Sequence, residues 1–287
     1  MRRRLLPPFL ICLLSLALAL PPAVAQAPIQ EWIDAAVKAG GGVVTIPPGV
    51  HELPAGLRLD AVKKLAIRGM ERERCILRLA PGAKPPLIHI RGAADTVEIA
   101  NLVLEPGSST KISADSPAIL CAPGDEVPKS TEGPIDITLR DCIFHDWPGD
   151  AILFQDTRDA GVERCSFRDI GGTAVVIAAG SKAVTVSGCW ITRAAAAIQA
   201  RDAAICELLG NEIRQCTEGI LISGTTALKQ PERPTGHKIV ANSLTGIPKL
   251  ALQVTATAAP AWITDNQIQG TQEIAGQGHQ LRDNVSD

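Results

Sequence analysis

The amino-acid sequence predicts an all-β fold, a right-handed parallel β-helix. Its short strands wind around one axis as a solenoid of about eight coils behind a short N-terminal capping helix. Three observations carry this prediction. Similar β-rich segments recur along the chain, mostly 22 to 24 residues apart, and no repeat contains a stretch of helical periodicity. The composition is 46% apolar but only 3% aromatic, without tyrosine, which suits a tightly wound core of small and β-branched side chains.

The first element is a predicted export signal over residues 1–25. Three arginines precede an apolar run from Leu5 to Leu20, and a small-residue cleavage site ends at Ala25. The apolar run is short for a membrane span. We therefore expect a secreted or periplasmic protein that has no membrane segment after signal cleavage.

Residues 26–62 are predicted to form the N-terminal cap, and residues 63–287 the β-helix. Apolar side chains at the start of the cap follow the spacing of one helical face. They are Ile29, Trp32, Ile33, Ala36 and Val37. A glycine hinge at Gly40 to Gly42, a strand pattern and a Pro-Pro-Gly turn ending at Gly49 follow. The pattern predicts a helix and first strand that cover the open end of the solenoid.

The repeats align on one column of the sequence. The column contains Cys142, Cys165, Cys189, Asn211, Asn242 and Asn266. Its steps are 23, 24, 22, 31 and 24 residues, and the longest step contains a loop insertion. A second β-rich run follows each mark, as at Ala174 to Ile177, so each repeat holds two short strands around a tight turn, a loop and a third strand. Without crossover helices, such strands must coil directly around one axis.

Stacked coils lie about 4.8 Å apart, which places like residues in ladders. We expect the three cysteines to form one inward ladder. The three asparagines form a second, whose amides bond turn backbone that is otherwise unpaired. Neighbouring cysteines are near enough to bridge, but their Cβ vectors run parallel, and this geometry favours free thiols.

The repeats, the helix, the glycine hinge and the Pro-Pro-Gly turn together resemble the pectate-lyase-like superfamily of right-handed β-helices, over nearly the whole mature chain. The resemblance implies a polysaccharide groove along the strand after the long loop and along that loop. In calcium-dependent lyases of the superfamily this strand carries clustered aspartates and a basic residue. Here its outward positions are mostly apolar, and they are Leu153, Gln155, Val176, Ala178, Gln199, Arg201, Leu221 and Ser223.

The loop before that strand carries more charge, and Asp146, Asp169 and Arg193 share one of its columns. Stacked carboxylates can hold Ca²⁺, the one metal that the pattern suggests, or act as acid and base in glycoside hydrolysis. A neighbouring arginine can neutralise a uronate carboxylate. The candidate catalytic residues are Asp146, Asp169, Arg193, Arg168 and His145, with Asp146 and Asp169 as the possible calcium ligands. The alternative is that these side chains are solvated turn residues that pair with one another.

Two tryptophans are candidates for sugar contacts. Trp190 follows the inward Cys189, so strand alternation turns it outward, where it is either a flat platform for a sugar or a surface covered by a long loop. Trp147 lies in the candidate loop and is expected to line the same groove. The full set of candidate substrate contacts is Trp190, Trp147, Asp150, Gln199, Arg201 and Arg214.

Three insertions run from Glu105 to Pro117, from Pro123 to Pro134 and from Gly224 to Gly236. Long loops on a rigid scaffold often carry function, so the last two either wall a cleft or decorate the surface.

The leading hypothesis is an exported β-helix that binds or cleaves an acidic polysaccharide as a lyase or glycoside hydrolase. A lyase needs a base, and Arg168, Arg193 and His145 are the candidates. The formal net charge of −2 for the whole chain offers no footprint for nucleic acid.

The rival hypothesis is a non-catalytic scaffold that binds partners in the periplasm or cell envelope. An apolar outward strip of Leu153, Val176 and Leu221 favours it. No cap-like helix follows Asn266, and an uncovered terminal coil exposes strand edges, so oligomerisation through the C-terminal coil is a further possibility.

Overall fold

The structure is a computed structural model that describes residues 28–107, 112–113, 116–124, 133–178, 180–224 and 236–286. The predicted signal over residues 1–25 lies outside this part of the chain, and so do most residues of the three predicted insertions. Among the described residues, no helix is long and apolar enough to cross a membrane.

One helix, α1 (Ile29–Lys38), opens the described chain and confirms the predicted N-terminal helix. Its apolar face buries Ile29 and Ile33 against the first coils. The helix ends at a glycine run, where Gly41 has φ of 117°. A Cβ at Gly41 would lie 2.6 Å from the Lys64 carbonyl oxygen, so only glycine permits the tight descent from the helix into the sheet.

The rest of the chain is built from short parallel strands with alternating inward and outward side chains. The strands of the first half are β1 (Gly42–Ile46), β2 (Gly49–Leu53), β3 (Leu57–Asp60), β4 (Lys63–Gly69), β5 (Cys75–Leu79), β6 (Ile88–Arg91), β7 (Asp95–Ala100), β8 (Val103–Glu105), β9 (Ile119–Ala122), β10 (Ile135–Arg140), β11 (Ile143–His145), β12 (Ile152–Phe154), β13 (Arg158–Glu163) and β14 (Ser166–Ile177).

The strands of the second half are β15 (Lys182–Ser187), β16 (Trp190–Arg201), β17 (Ala204–Leu209), β18 (Glu212–Arg214), β19 (Glu218–Ser223), β20 (His237–Val240), β21 (Ser243–Thr245), β22 (Leu250–Val254), β23 (Ala261–Thr264), β24 (Gln267–Ile268), β25 (Gln272–Ile274), β26 (Gln280–Arg282) and β27 (Val285–Ser286).

The strands form three faces, to which successive coils add one rung each. The first face is a ten-stranded parallel sheet of β1, β4, β7, β10, β13, β15, β17, β20, β23 and β26. The second face runs from β2 through β5, β8 and β11 to β27, and the third from β3 through β6, β9 and β12 to β25. β14 and β16 are long enough to bend from the second face into the third. Parallel pairing in every ladder confirms the predicted right-handed parallel β-helix.

The solenoid is longer than the predicted stack of about eight coils, since the first face contains ten strands. β1, which the sequence places in the cap, pairs with β4 in full register from Gly42 opposite Leu65 to Ile46 opposite Gly69. β26 adds a last rung after the final repeat that the sequence alignment contains. The sequence alignment runs only from Cys142 to Asn266, so it includes neither end coil.

The inward ladder lies at the corner between the first and second faces. Cys142, Cys165 and Cys189 are buried there, and their thiols donate to backbone carbonyls, as Cys189 Sγ does to the Val162 carbonyl at 3.5 Å. All seven cysteines that the structure describes are buried free thiols. Burial raises the pKa of the Cys189 thiol to about 12, so this thiol stays protonated at neutral pH.

The ladder continues with asparagine amides. Asn211 Nδ2 donates to Asn242 Oδ1 at 2.9 Å, and Asn242 Nδ2 donates to Asn266 Oδ1 at 3.0 Å. The same Oδ1 atoms accept the backbone N–H of the rung before, as Asn242 Oδ1 accepts from Asn211 at 3.0 Å. Asn284, which the alignment does not include, extends the ladder by one rung. The predicted pairing of the turn backbone by asparagine amides is confirmed.

Candidate functional site

A groove of about 890 Å³ lies on the outer side of the second face. Its floor crosses many coils, so it runs along the axis of the solenoid and not across it. The lining residues are Glu73, Ile76, Val103, Glu105, Ile143, His145, Ser166, Arg168, Trp190, Thr192, Arg193, Arg214, Gln215, Thr245, Gly246 and Gln269.

Three columns of side chains build this groove. The strand register of the second face places the first column in the order Ile76, Val103, Ile143, Ser166, Trp190, Glu212 and Ser243. The second column is Arg78, Glu105, His145, Arg168, Thr192, Arg214 and Thr245. The third column lies at the corner where the second face ends, and it contains Asp146, Asp169, Arg193, Gln215 and Gly246.

The third column contains the predicted alignment of Asp146, Asp169 and Arg193, and every member has a left-handed backbone with φ between 54° and 64°. Aspartate and glycine tolerate this conformation better than most residues. The left-handed turn therefore favours aspartate at positions 146 and 169, apart from any role of the carboxylates in a site.

Asp169 and Arg193 are paired across adjacent coils. Arg193 Nε donates to Asp169 Oδ1 at 2.5 Å and an Arg193 terminal nitrogen donates to Oδ2 at 2.8 Å. These hydrogen bonds hold the pKa of the Asp169 carboxyl below its usual range. Arg168 lies 3.5 Å from Asp169 through its Nε, with over half of its side chain exposed. Arg168 is thus the cation of this cluster that is more available to a ligand.

His145 joins two carboxylates at the other end of the cluster. Its Nε2 lies 3.0 Å from Glu105 Oε1 and its Nδ1 lies 3.0 Å from Asp146 Oδ2. Arg78 donates to Glu105 Oε2 from Nε at 2.7 Å and also from a terminal nitrogen. Side-chain contacts therefore link Arg78, Glu105, His145 and Asp146 over three coils.

The residues proposed as calcium ligands do not fit a calcium site. Calcium requires six to eight oxygen ligands. Both Asp169 oxygens accept hydrogen bonds from Arg193, and Asp146 contacts His145. No group of three or more His, Cys, Asp or Glu side chains in the described part of the chain is arranged to hold a metal ion. Two arginines beside the carboxylates also oppose a cation at this position.

Trp190 is the exposed aromatic ring of the groove, with 53% of its surface accessible. It lies between Ser166 and Glu212 in the first column, as the strand alternation predicts. Glu212 is ion-paired with Arg214 beside it. No loop among the described residues covers Trp190.

The model of a family described as a right-handed β-helix region matches residues 95–273, which is more than half of the chain. The chain belongs to the right-handed β-helix family. No curated protein sequence matches it. The family match covers the middle coils and every lining residue of the groove except Glu73 and Ile76.

Solved β-helix structures resemble the chain at low sequence identity. PfbA, a surface adhesin of Streptococcus pneumoniae, superposes with a TM-score of 0.55 at 12% identity over 90% of this chain and 86% of that chain. XylC in complex with xylose gives 0.53 at 11% identity over 79% and 38%. ORF18 of Geobacillus virus E2 gives 0.52 at 11% over 90% and 56%. The chain therefore spans just over half of the viral protein, and these likenesses show the β-helix fold alone.

Within this β-helix, Trp147 does not line the groove, contrary to the prediction. Its side chain is fully buried, and its Nε1 donates to the Ser116 carbonyl at 2.8 Å. The left-handed residue Asp146 turns the chain, so the residue that follows it points inward. Ile170 and Ala194 occupy the same buried position one and two coils further along.

Three other predicted substrate contacts lie away from the groove. Asp150 accepts the backbone N–H of Thr173 at 2.7 Å, so its carboxylate helps to join two coils. Gln199 and Arg201 project from the third face and hydrogen-bond to each other. Strand alternation was sufficient to predict that Gln199 and Arg201 point outward, but not which outer face carries the groove.

The apolar strip that favoured a docking scaffold is mostly covered in this member of the family. Val176 and Leu221 are buried, and Leu153 is partly buried. The strip therefore does not form an open apolar surface of the kind that marks a docking site.

Sequence reasoning missed Glu105 and Arg78 as members of the site. Glu105 ends β8 and was assigned to the start of a loop insertion, although it lies in the strand register next to His145. Extending the alignment one repeat toward the N-terminus, through Val103 and Leu104 below Ile143 and Phe144, would have placed Glu105 in this column.

Proposed function

We propose that the chain binds an acidic polysaccharide along the groove of the second face, with the sugar chain parallel to the solenoid axis. Trp190 carries this proposal. An exposed ring in the middle of a long groove provides the flat apolar contact that one face of a sugar requires, and hydrogen-bonding side chains lie beside it.

The charges around the ring support an acidic ligand. Arg168 and Arg214 lie one coil to either side of Thr192 in the second column, and each exposes more than half of its side chain. Successive rungs lie about 4.8 Å apart. Arg168 and Arg214 are therefore two rungs, or about 9.6 Å, apart along the axis. Their guanidinium groups can each bind a carboxylate of a polyuronate in bidentate geometry.

The fold is compatible with this proposal without deciding it. A β-helix structure contains xylose in XylC, and another belongs to a surface adhesin. The support for a carbohydrate ligand is the groove of this chain and not its fold.

A binding experiment tests the proposal. Purified residues 26–287 are titrated with a panel of uronate polysaccharides and a neutral glucan, by affinity electrophoresis and calorimetry. Trp190→Ala should weaken binding at least about fivefold, or roughly 1 kcal/mol, through loss of the stacking contact. Trp32→Ala is the matched control, because Trp32 is also partly exposed but lies on the capping helix. Absence of binding to every acidic polymer would refute the proposal.

We also propose that residues 1–25 direct export and are removed. The sequence pattern supports this, as described above. Mass spectrometry of the protein recovered from the periplasm or medium should find Gln26 at the N-terminus, whereas an intact Met1 in the cell cytoplasm would contradict it.

Assembly through the C-terminal coil is a second, independent role that one observation favours. Leu281 and Val285 on the last coil are exposed by 56% and 59%. The outer edges of β26 and β27 have no further described strand beside them. Light scattering coupled to size-exclusion chromatography should show a dimer that Leu281→Asp converts to a monomer. A wild-type monomer at high concentration would exclude this role.

A further inference from the structure

The first column of the groove changes its chemical character along the solenoid axis. Its later rungs carry Ser166, Trp190 and Glu212. Its first four rungs are all aliphatic, in consecutive parallel strands, and they are Val50, Ile76, Val103 and Ile143. The half of the second face near the capping helix therefore presents an apolar column, and the other half presents polar side chains and an aromatic ring.

Three of these aliphatic side chains line the groove, and we call them the aliphatic floor. They are Ile76, Val103 and Ile143. Val103 is the most buried of the three, at 5% exposure, and the other two are partly exposed. They occupy successive rungs about 4.8 Å apart, so the floor is about 9.6 Å long.

The aliphatic floor is not part of the core of the solenoid. The inward positions of the same strands are filled by Leu77, Leu104 and Phe144, all fully buried. Strand alternation turns the floor residues to the outer side. Serine occupies the same column two and five rungs before and after Trp190 without loss of the parallel pairing, at Ser166 and Ser243. Neither the core nor the pairing of the strands therefore requires aliphatic side chains in this column.

A loop over residues 70–74 forms a wall on one side of the aliphatic floor. It joins β4 to β5, and Glu73 lines the groove. A terminal nitrogen of Arg72 donates to the Arg164 carbonyl at 3.2 Å. Arg164 follows β13, the third strand after β4 in the first face, so this contact lays the loop along the axis, past the coils of Val103 and Ile143.

The opposite wall is the second column, and its charges compensate one another on these coils. Arg78 donates to Glu105 at 2.7 Å, and Glu105 lies 3.0 Å from His145. These side chains expose 31%, 13% and 20% of their surface. On the later coils, Arg168 and Arg214 each expose 56%. Accessible positive charge is therefore concentrated in the half of the groove that lies beyond the aliphatic floor.

We propose that the ligand of this groove is an amphiphile, an acidic saccharide that carries an alkyl or acyl chain. The alkyl or acyl chain lies on the aliphatic floor and points toward the capping helix. The acidic sugar stacks on Trp190, with its carboxylates at Arg168 and Arg214. The inference rests on the proposed binding of an acidic saccharide in this groove, and it adds the apolar substituent and the direction of the ligand.

The free energy of desolvation favours this occupant over an unsubstituted sugar chain. A sugar placed on the aliphatic floor would bury hydroxyl groups against side chains that offer no hydrogen bond, which costs free energy. An alkyl chain removes the same surface from water and leaves no polar group unpaired. An unsubstituted polyuronate therefore matches only the rungs from Ser166 onward, whereas the amphiphile matches the whole groove.

The test compares methyl, butyl and hexyl glycosides of one oligouronate, titrated by calorimetry into residues 26–287 below the concentration at which the glycosides form micelles. The hexyl glycoside should bind at least about tenfold more tightly than the methyl glycoside, because its additional methylene groups leave water. The hexyl glycoside of a neutral oligosaccharide of equal length should bind at least about fivefold more weakly than the hexyl oligouronate, because it lacks the carboxylates.

Two variants locate the alkyl chain. Ile143→Ser should reduce the gain from methyl to hexyl glycoside to below about threefold and leave the affinity for the methyl glycoside within about twofold. Serine suits this strand position, because Ser166 occupies the next rung. Arg72→Ala removes the contact that holds the wall and should also reduce the hexyl gain. Val43→Ser is the matched control, since Val43 is an exposed valine on the outer side of the first face, and it should leave both affinities unchanged.

Each outcome decides the inference. Binding of polyuronates with equal affinity for the methyl and hexyl glycosides would overturn it and leave the proposed binding function intact. A hexyl gain that persists in both Ile143→Ser and Arg72→Ala would overturn the placement of the chain on the aliphatic floor. Equal affinity for the acidic and the neutral hexyl glycosides would overturn the acidic half of the amphiphile. Absence of binding to every polyuronate and glycoside would refute both the binding function and this inference.

Discussion

Two corners of each coil repeat along the solenoid, and the residue types that occupy them change in different ways. The inner corner lies between the first and second faces, and the outer corner follows the second face. At the corner between the first and second faces, the inward ladder contains Cys142, Cys165 and Cys189 followed by Asn211, Asn242 and Asn266, all buried. At the corner after the second face, the outward column changes from Asp146 and Asp169 to Arg193, Gln215 and Gly246. The inner corner changes residue type once, from Cys to Asn, and both types bond to backbone groups, whereas the outer corner changes residue type at several successive coils.

The outer corner also contains a column of buried, inward-pointing side chains. Trp147 follows Asp146 and occupies the core position that Ile170 and Ala194 fill on the next coils. Whether a side chain points inward or outward therefore matters more than the corner on which it lies. Substitutions on the inward side should change the free energy of unfolding, and those on the outward side should change ligand binding.

The largest expected effect is that of Trp147→Ala. Removal of a fully buried indole should lower the free energy of unfolding by roughly 3 to 5 kcal/mol, measured from urea unfolding followed by circular dichroism. Trp190→Ala should change it by less than about 0.5 kcal/mol, because that ring is exposed. Equal destabilisation by the two substitutions would show that Trp190 is packed and not open to a ligand.

Asn242→Ala should lower the free energy of unfolding by about 2 to 3 kcal/mol. It leaves the buried N–H of Asn211 without an acceptor and the Leu208 carbonyl without the donor that Asn242 Nδ2 supplies. Urea unfolding under the same conditions measures this change in the free energy of unfolding. A loss below 0.5 kcal/mol would mean that the amide ladder is not what satisfies the turn backbone.

Cys165→Ala should cost less, about 1 kcal/mol, because a weak thiol donor and a small apolar volume are lost. Burial raises the pKa of Cys206 to about 12, as it does for Cys189, so these thiols should not react with a maleimide at pH 8 until the protein unfolds. Rapid labelling of the native protein at Cys189 or Cys206 would show that the ladder opens locally.

The smallest effect is expected at the outer corner. Arg193 lowers the pKa of the Asp169 carboxyl, so the pair stabilises the fold above the ordinary aspartate pKa near 4. This contribution is lost as the pH falls through the lowered pKa of the folded state. Both side chains are partly exposed, so Asp169→Asn should cost less than about 1 kcal/mol at pH 7.

The measurement for this pair is the free energy of unfolding as a function of pH for Asp169→Asn, Arg193→Gln and the double variant. The difference from wild type should shrink toward pH 2. A difference that persists at pH 2 would show that Asp169 acts through the shape of the left-handed turn and not through its charge.

The sequence predicted the fold well because the inner ladder repeats Cys and then Asn at steps of mostly 22 to 24 residues. Alignment of the repeats places Cys165 in one column with Cys142 and Cys189, so their shared inward position could be predicted. The candidate site was harder to predict. The columns of the site change residue type from coil to coil. Glu105 lies at the start of a predicted insertion, so its position in the strand register could not be assigned from the sequence.

The left-handed turn explains the main error. Strand alternation across Asp146 would direct Trp147 into the groove loop, but a residue at φ of 56° bends the chain and reverses the side on which the next residue lies. The residue after each left-handed residue of this column is apolar. These residues are Trp147, Ile170, Ala194 and Cys216. This apolar column predicts an inward position for Trp147, but it is visible only when the repeats are aligned through the turn.

The bend of β14 and β16 through the corner has a consequence for how such a protein changes length. Each coil enters and leaves the stack through the same three corners, so a segment such as residues 166–189 is a self-contained module with matched upper and lower edges. Duplication of one module would extend the groove by a single sugar-sized step and leave its cross-section unchanged. Under the proposed binding function, the number of modules would set the preferred length of a bound polymer independently of the chemistry at either end.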